Sequence, residues 1–117
     1  NLSIIVAQIL LLINMGQYEK ILDKAEPLKL YASRYIRKEK NPRSYYFIKM
    51  LQVMIQYDFE PKKTAQIANK FFVKLKESHL GEQSEVETLE VIPYDLLWPE
   101  ILQKLEANKK AAAAEQN

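Results

Sequence analysis

The chain has 117 residues and a formal net charge of +2, and 48% of its residues are hydrophobic. That length allows one domain with a modest core, the apolar content excludes a disordered chain, and two glycines are too few for a β-sandwich or barrel. The absence of cysteine excludes disulfides and thiolate metal sites, and a lone His79 excludes a histidine metal cluster. Because good helix formers dominate, we predict an all-α fold that holds no cofactor.

Four helices are predicted in the first 80 residues, paired as two antiparallel α-α hairpins. Breaks in the apolar periodicity place these helices at about residues 2–14, 18–36, 42–57 and 61–78. Gly16 supplies the free φ that ends the first helix. Pro42 and Pro61 suit the first turns of the third and fourth helices. Pro27 lies inside the second helix, where the loss of one backbone donor predicts a kink. The hairpins are residues 1–40 and 41–80.

The two hairpins match each other without gaps at a spacing of 41 residues. The matched pairs include Val6 with Phe47, Ile9 with Met50, Leu10 with Leu51, Ile13 with Met54 and Tyr18 with Phe59. A period of this length is typical of stacked helical hairpins, each too small to bury its own apolar face. The expected architecture is therefore two stacked hairpins followed by a C-terminal capping helix.

The C-terminal third differs from the hairpins in composition. Residues 81–93 are predicted to form an acidic loop with a short extended segment, residues 94–107 a capping helix, and residues 108–117 a low-complexity tail. An array must cover its last apolar face, so we expect the capping helix to pack on the third and fourth helices. The alternative is a segment that docks on another protein, with Trp98 as its anchor.

The turn Gly16-Gln-Tyr18 resembles the middle of a tetratricopeptide repeat, where a helix ends and an antiparallel partner follows. The second hairpin keeps the aromatic as Phe59 but has Tyr57 in place of the glycine, and the unit has 41 residues rather than about 34. The stretch of residues 90–98 also resembles the ending of uncharacterised bacterial helical-repeat proteins. This family resemblance implies protein or peptide binding on a concave face, without catalysis.

Basic residues are concentrated in the middle of the chain. Residues 34–80 hold eleven Lys or Arg against four Asp or Glu, whereas residues 81–117 hold three against eight. The strongest candidate for a partner-binding surface is the turn between the second and third helices, with the side chains Arg34, Arg37, Lys38, Arg43, Tyr45 and Lys49. Guanidinium groups and aromatic faces suit acidic peptides, and equally phosphates and bases. The alternative is that these bases are solvated, or are covered by the acidic segment.

We therefore predict a module for protein–protein interaction or structural support, the C-terminal end of a larger helical-repeat protein. Its expected partner is a protein or peptide, with an acidic one favoured. A nucleic-acid-associated or transcription-regulating domain is the alternative. No nucleophile motif or phosphate loop is present, so we expect no enzyme activity. We also expect a cytoplasmic protein that does not associate with membranes. If the first helix belongs to a longer array, we expect its outer face, formed by Ile4, Ile5, Leu11 and Leu12, to pack on a preceding hairpin. In isolation, the same exposed face predicts a homodimer contact.

Overall fold

The computed structural model describes residues 2–78 and 92–115, and every regular element within those ranges is a helix. This confirms the predicted all-α fold. In chain order the helices are α1 (Leu2–Met15), α2 (Tyr18–Leu22), α3 (Ala25–Tyr35), α4 (Pro42–Gln56), α5 (Pro61–Glu77) and α6 (Tyr94–Glu115). The predicted acidic loop lies outside the described residues except for its last two.

The region predicted as one kinked helix consists of two helices, α2 and α3. The break falls at Asp23 and Lys24, and Pro27 lies in the first turn of α3. Proline lacks the amide that would bond to the carbonyl four residues earlier, which is that of Asp23, and its ring crowds the same carbonyl. The α2 helix therefore ends there, and regular bonding resumes where the Leu28 amide donates to the Lys24 carbonyl at 2.9 Å. The prediction of a continuous helix was wrong.

The two hairpin turns have the same hydrogen-bond pattern but different sequences. The amides of Gln17 and Phe59 each donate to the carbonyl five residues earlier, at 2.9 Å in both turns, which is the pattern of a Schellman motif. Gly16 provides the positive φ of the first turn, whereas Asp58 and Phe59 provide it in the second. The structural counterpart of Gly16 is therefore Asp58, a residue type that tolerates the left-handed region better than most.

One apolar cluster runs through the molecule and draws side chains from all six helices. The α4 helix lies at its centre and packs along α5, and α5 in turn packs on α6. The largest fully buried apolar side chains are Ile9, Ile21, Leu28, Phe47, Met50, Leu51, Met54, Leu75, Tyr94, Trp98 and Leu105. Because all six helices pack on this core, it fixes their positions relative to one another.

The α6 helix extends across Pro99 and through most of the segment predicted as a tail. Its N-terminal end is held by Tyr94, whose ring stacks on Phe47 at a centroid distance of 4.2 Å. Its C-terminal part is held by Asn108, whose side-chain amide donates to the Ile13 carbonyl at 3.0 Å and to the Tyr18 hydroxyl at 2.9 Å. The helix thus reaches from α4 and α5 back to the end of α1.

Candidate functional site

A cleft of about 290 Å³ lies between α3 and α4. The two helices touch sparingly compared with α4 and α5, so their facing surfaces leave an open space. The α4 helix contributes four residues at the spacing i, i+3, i+4 and i+7, which places them on one face of that helix. The α3 side contributes three helical residues and Ile36, which follows the last residue of α3 and has an extended backbone. The lining residues are Lys29, Ala32, Ser33 and Ile36 of the α3 side and Tyr45, Ile48, Lys49 and Gln52 of α4.

The floor of the cleft is apolar and its rim carries two amines. Ile36 and Ile48 are buried, with 7% and 4% of their surface exposed, and Ala32 is half-buried. Lys29 is exposed, whereas Lys49 is half-buried. A cleft of this composition suits a ligand that combines an apolar group with an anion.

Tyr45 is held in place at one side of the cleft by its neighbours. Its ring meets Tyr46 edge-on, with centroids 5.3 Å apart and an interplanar angle of 84°. Tyr46 is buried and stacks on Phe71 of α5 at 6.4 Å. The Lys49 amine lies 5.5 Å from the Tyr45 ring centroid, within the range of a cation–π contact. Of the three predicted site residues in α4, Tyr45 and Lys49 thus line the same cleft, and Arg43 does not.

Arg43 has a different position from the rest of the predicted basic surface. It is only 8% exposed, and one guanidinium nitrogen donates to the carbonyls of Leu75 and Ser78 at 3.0 Å each. The other terminal nitrogen forms an ion pair with Asp95 in the first turn of α6. A cation at the C-terminal end of α5 and a carboxylate at the N-terminal end of α6 both complement the helix dipoles. Arg43 therefore joins two helices and is not part of the exposed surface.

The remaining predicted basic residues are on the surface. Arg34 is exposed in the last turn of α3, and Arg37 and Lys38 are exposed in the connection to α4. The Arg37 carbonyl accepts from the amides of Lys40 and Asn41, at 3.2 and 2.7 Å, which closes that connection into a turn. These three side chains lie at or just beyond the C-terminal end of α3 and add positive charge to that end of the protein.

Trp98 is also buried within its own chain. Only 1% of its surface is exposed, and it lies in the same core as Ile101 and Leu105 of α6. In this arrangement its side chain has no free surface with which to anchor another protein. A partner that used Trp98 would first have to displace α6.

Sequence reasoning missed the α3 wall of the cleft. The residues Lys29, Ala32, Ser33 and Ile36 do form a helical stripe that was visible in the sequence. Their pairing with the stripe on α4 was not visible, because it depends on how two helices joined by a turn are oriented.

Within residues 2–78 and 92–115, no three side chains of His, Asp or Glu lie close enough together to hold a metal ion. None of the helices in this same part of the chain has the length and apolar character needed to cross a bilayer.

Comparison with known proteins yields no relative: no family model, curated protein or solved structure matches this chain. The tetratricopeptide resemblance therefore has no support beyond the residues that suggested it. The all-α arrangement is compatible with a helical-repeat fold.

Proposed function

We propose that this chain is a non-catalytic protein-interaction module that binds an acidic linear segment in the cleft between α3 and α4. The observation that carries the proposal is the pairing of two rim lysines, Lys29 and Lys49, with an apolar floor. Such a site takes an apolar side chain into the floor while the amines meet a neighbouring carboxylate.

The size of the cleft favours a short segment of a protein partner. Its volume of about 290 Å³ lies at the lower end of the range for small-molecule pockets. It accommodates one or two side chains, and the rest of a bound segment would lie on the surface beyond it. The exposed basic residues at the C-terminal end of α3 and just after it would contact the rest of such a segment; these are Arg34, Arg37 and Lys38.

The charge around the cleft supports an acidic partner. Residues 29–49 contain seven Lys or Arg and one acidic residue, Glu39. Arg43 is neutralised internally by Asp95, which leaves six basic residues for the surface. A local excess of one sign of charge raises the rate of encounter with a partner of the opposite sign and disfavours partners of the same sign.

A nucleic-acid partner is supported less well by the same residues. Single-stranded nucleic acids bind by stacking bases on open aromatic faces. Tyr45 is half-buried against Tyr46, with the Lys49 amine above its ring. In addition, the internally paired Arg43 cannot form a fork with a phosphate without breaking its contacts in the fold.

The wider role follows from the same proposal. We infer a scaffold built from helical hairpins in the manner of tetratricopeptide-like proteins, supported by the 41-residue match between the hairpins. The cysteine-free composition fits a reducing compartment such as the cytoplasm.

The proposal is tested by fluorescence anisotropy with a labelled acidic peptide that contains leucine, a basic peptide of the same length, and a single-stranded DNA. The double variant Lys29→Glu and Lys49→Glu should weaken acidic-peptide binding by about tenfold or more, since it removes both rim amines. The matched control is Lys62→Glu with Lys110→Glu, two exposed positions on α5 and α6 that give the same net charge.

The control should change the affinity by less than about threefold, because distant exposed charges are screened at physiological salt. Equal losses in both double variants would show that only net charge matters and would contradict a cleft. Preferential binding of the DNA, with a steep salt dependence, would favour the nucleic-acid interpretation instead.

A further inference from the structure

The α1 helix has an exposed apolar face and no charged residue. Ile4, Leu11 and Met15 are 55%, 58% and 54% exposed, and Leu22 of the neighbouring α2 is 48% exposed. Ile5 and Leu12, which the sequence placed on this face, are instead buried and half-buried. A contiguous exposed face of this kind is uncommon on a surface that contacts only water.

The matching face of α4 is covered. At the 41-residue spacing, the α1 positions 4, 7, 8 and 11 correspond to Tyr45, Ile48, Lys49 and Gln52. All four α1 residues are exposed, whereas all four α4 residues are buried or half-buried. The difference has a direct cause, since these α4 residues face α3 across the cleft. On α1 no helix among the described residues occupies the corresponding place.

We propose that the exposed face of α1 binds the second helix of a further α-α hairpin. That hairpin would precede α1 in the stack, at the same 41-residue spacing. Its contact face would repeat the pattern of the α3 side, with a lysine at position i, small residues at i+3 and i+4, and a large apolar residue at i+7. It would lie against α1 as α3 lies against α4. The α1 face is more apolar than its α4 counterpart, with Ile4 and Leu11 where α4 has Tyr45 and Gln52.

A second copy of this chain offers no equivalent helix. Its own α3 face already lies against α4. The corresponding positions on α5 are Lys70, Val73, Lys74 and Glu77, three of which are charged. Burying those charges on an apolar face would cost free energy without compensating ion pairs. The α3 and α5 helices of a second copy therefore suit this face less well than the second helix of a separate hairpin does.

The groove beside α1 has charged groups that would orient such a hairpin. Lys20, Asp23 and Lys24 of the α2 region border it together with Gln8 and Leu11. A helix that packs on α1 and has polar residues along its sides would contact both positively and negatively charged groups at this edge. Opposite charges at the rim of an apolar contact set its register more than its strength.

The test uses a tandem chain in which residues 1–41 are duplicated ahead of the full 117 residues. Since the natural sequence has no cysteine, the single substitution Leu11→Cys in the original copy is a clean reporter of exposure. We expect its thiol to react with a labelling reagent at least about tenfold more slowly in the tandem chain than in the 117-residue chain, because the added α3-type helix covers it. Ala112→Cys on exposed α6 should react at the same rate in both.

The matched control is the same tandem chain with Ile36→Lys in the added copy alone, which places a charge in the contact face. Fast labelling should return, while circular dichroism reports whether the original hairpins remain folded. Unchanged labelling of Leu11→Cys in the tandem chain would overturn the proposal. Protection that appears in the 117-residue chain with rising concentration, and with dimers in sedimentation, would also overturn it by identifying a second copy as the occupant.

Discussion

The ring of Tyr18 stacks on that of Phe59, with centroids 4.3 Å apart and planes inclined by 11°. Tyr18 begins α2 directly after the first hairpin turn, Phe59 lies within the second turn, and the two stand 41 positions apart in the sequence. The Tyr18 hydroxyl also accepts a hydrogen bond from Asn108 of α6. One aromatic pair thus joins both hairpin turns and the C-terminal helix, and it holds Phe59 at a φ of 62° that a bulky side chain rarely adopts.

A double-mutant cycle on Tyr18→Ala and Phe59→Ala should give a coupling free energy of about 0.5–1.5 kcal/mol, because stacked aromatic pairs contribute beyond their buried area. Urea denaturation of the four proteins measures it. The control cycle is Tyr31→Ala with Tyr35→Ala, a pair on α3 whose centroids are 6.1 Å apart and whose second ring is exposed. Strict additivity at Tyr18 and Phe59 would rule out a stabilising stack.

Replacement of Arg43 by Met should lower the free energy of unfolding by about 1–3 kcal/mol, because the guanidinium is buried and its removal leaves its hydrogen-bond acceptors unsatisfied, whereas Asp95 is partly exposed. The loss leaves two α5 carbonyls without their donor and Asp95 without its cation. The same change at exposed Arg37 should stay within about 0.5 kcal/mol of the parent. If thermal or urea unfolding gave equal values for the two variants, Arg43 would have to be a surface residue after all.

Substitution of Thr64 by Val should raise stability by about 1 kcal/mol, because a buried hydroxyl without a partner carries a desolvation penalty. Thr64 is fully buried in α5, and its hydroxyl oxygen has no hydrogen-bond partner among the residues that the structure describes. Valine keeps the shape of the side chain and removes that oxygen. Thr64→Ser keeps the oxygen and removes the methyl group, so it should destabilise. A stability loss for Val would indicate that the hydroxyl is hydrogen-bonded in solution.

The Glu60–Lys109 pair should contribute to the pH dependence of stability. The Lys109 amine donates to the Glu60 carboxylate at 2.8 Å, and this bond, followed by the Lys63 amide, lowers the Glu60 pKa below its usual 4.5. A depressed carboxyl pKa adds stability that is present above pH 4.5 and is lost as the pH falls through the folded-state value. The same bond raises the Lys109 pKa above 10.5. The stability that Lys109 contributes is therefore lost as the pH rises through this raised pKa.

Urea titrations of the parent and Lys109→Met from neutral to acid pH measure this contribution. Lys109→Met should be less stable at neutral pH in low salt, and the difference should shrink on acidification and with added salt, because the pair is exposed. The neighbouring change Lys110→Met is the control and should not alter the profile. A difference between Lys109→Met and the parent that persists below the acid transition would assign the effect to packing and not to charge.

The helices of the hairpins were largely predictable, since their signals are local. The spacing of apolar residues predicted α1 and α4, and Pro42 and Pro61 were expected at helix starts, where the structure has them. The division of the second helix was missed, although its cause, Pro27, was known. Whether a proline kinks a helix or separates two depends on where the chain can bend without losing core contacts, and a single sequence does not specify that.

The candidate site was predictable only in part. Tyr45 and Lys49 were expected at a partner surface, and the structure places them in one cleft. Arg43 was assigned to the same surface because of its neighbours in the sequence, yet its guanidinium points to groups 32, 35 and 52 residues away. Charge alone does not show whether an arginine meets solvent or the carbonyls at the end of a helix.

By itself, the sequence determined that this protein is all-α, where most of its helices begin and end, and that its first two hairpins share an apolar pattern. Those properties depend on backbone propensity and on side chains three or four positions apart. The tertiary structure alone decided that Arg43 and Trp98 are internal, that α3 and α4 leave a lysine-rimmed cleft, and that the face of α1 is open. These outcomes depend on contacts between residues far apart in the chain, which form only when all the helices pack together around one core.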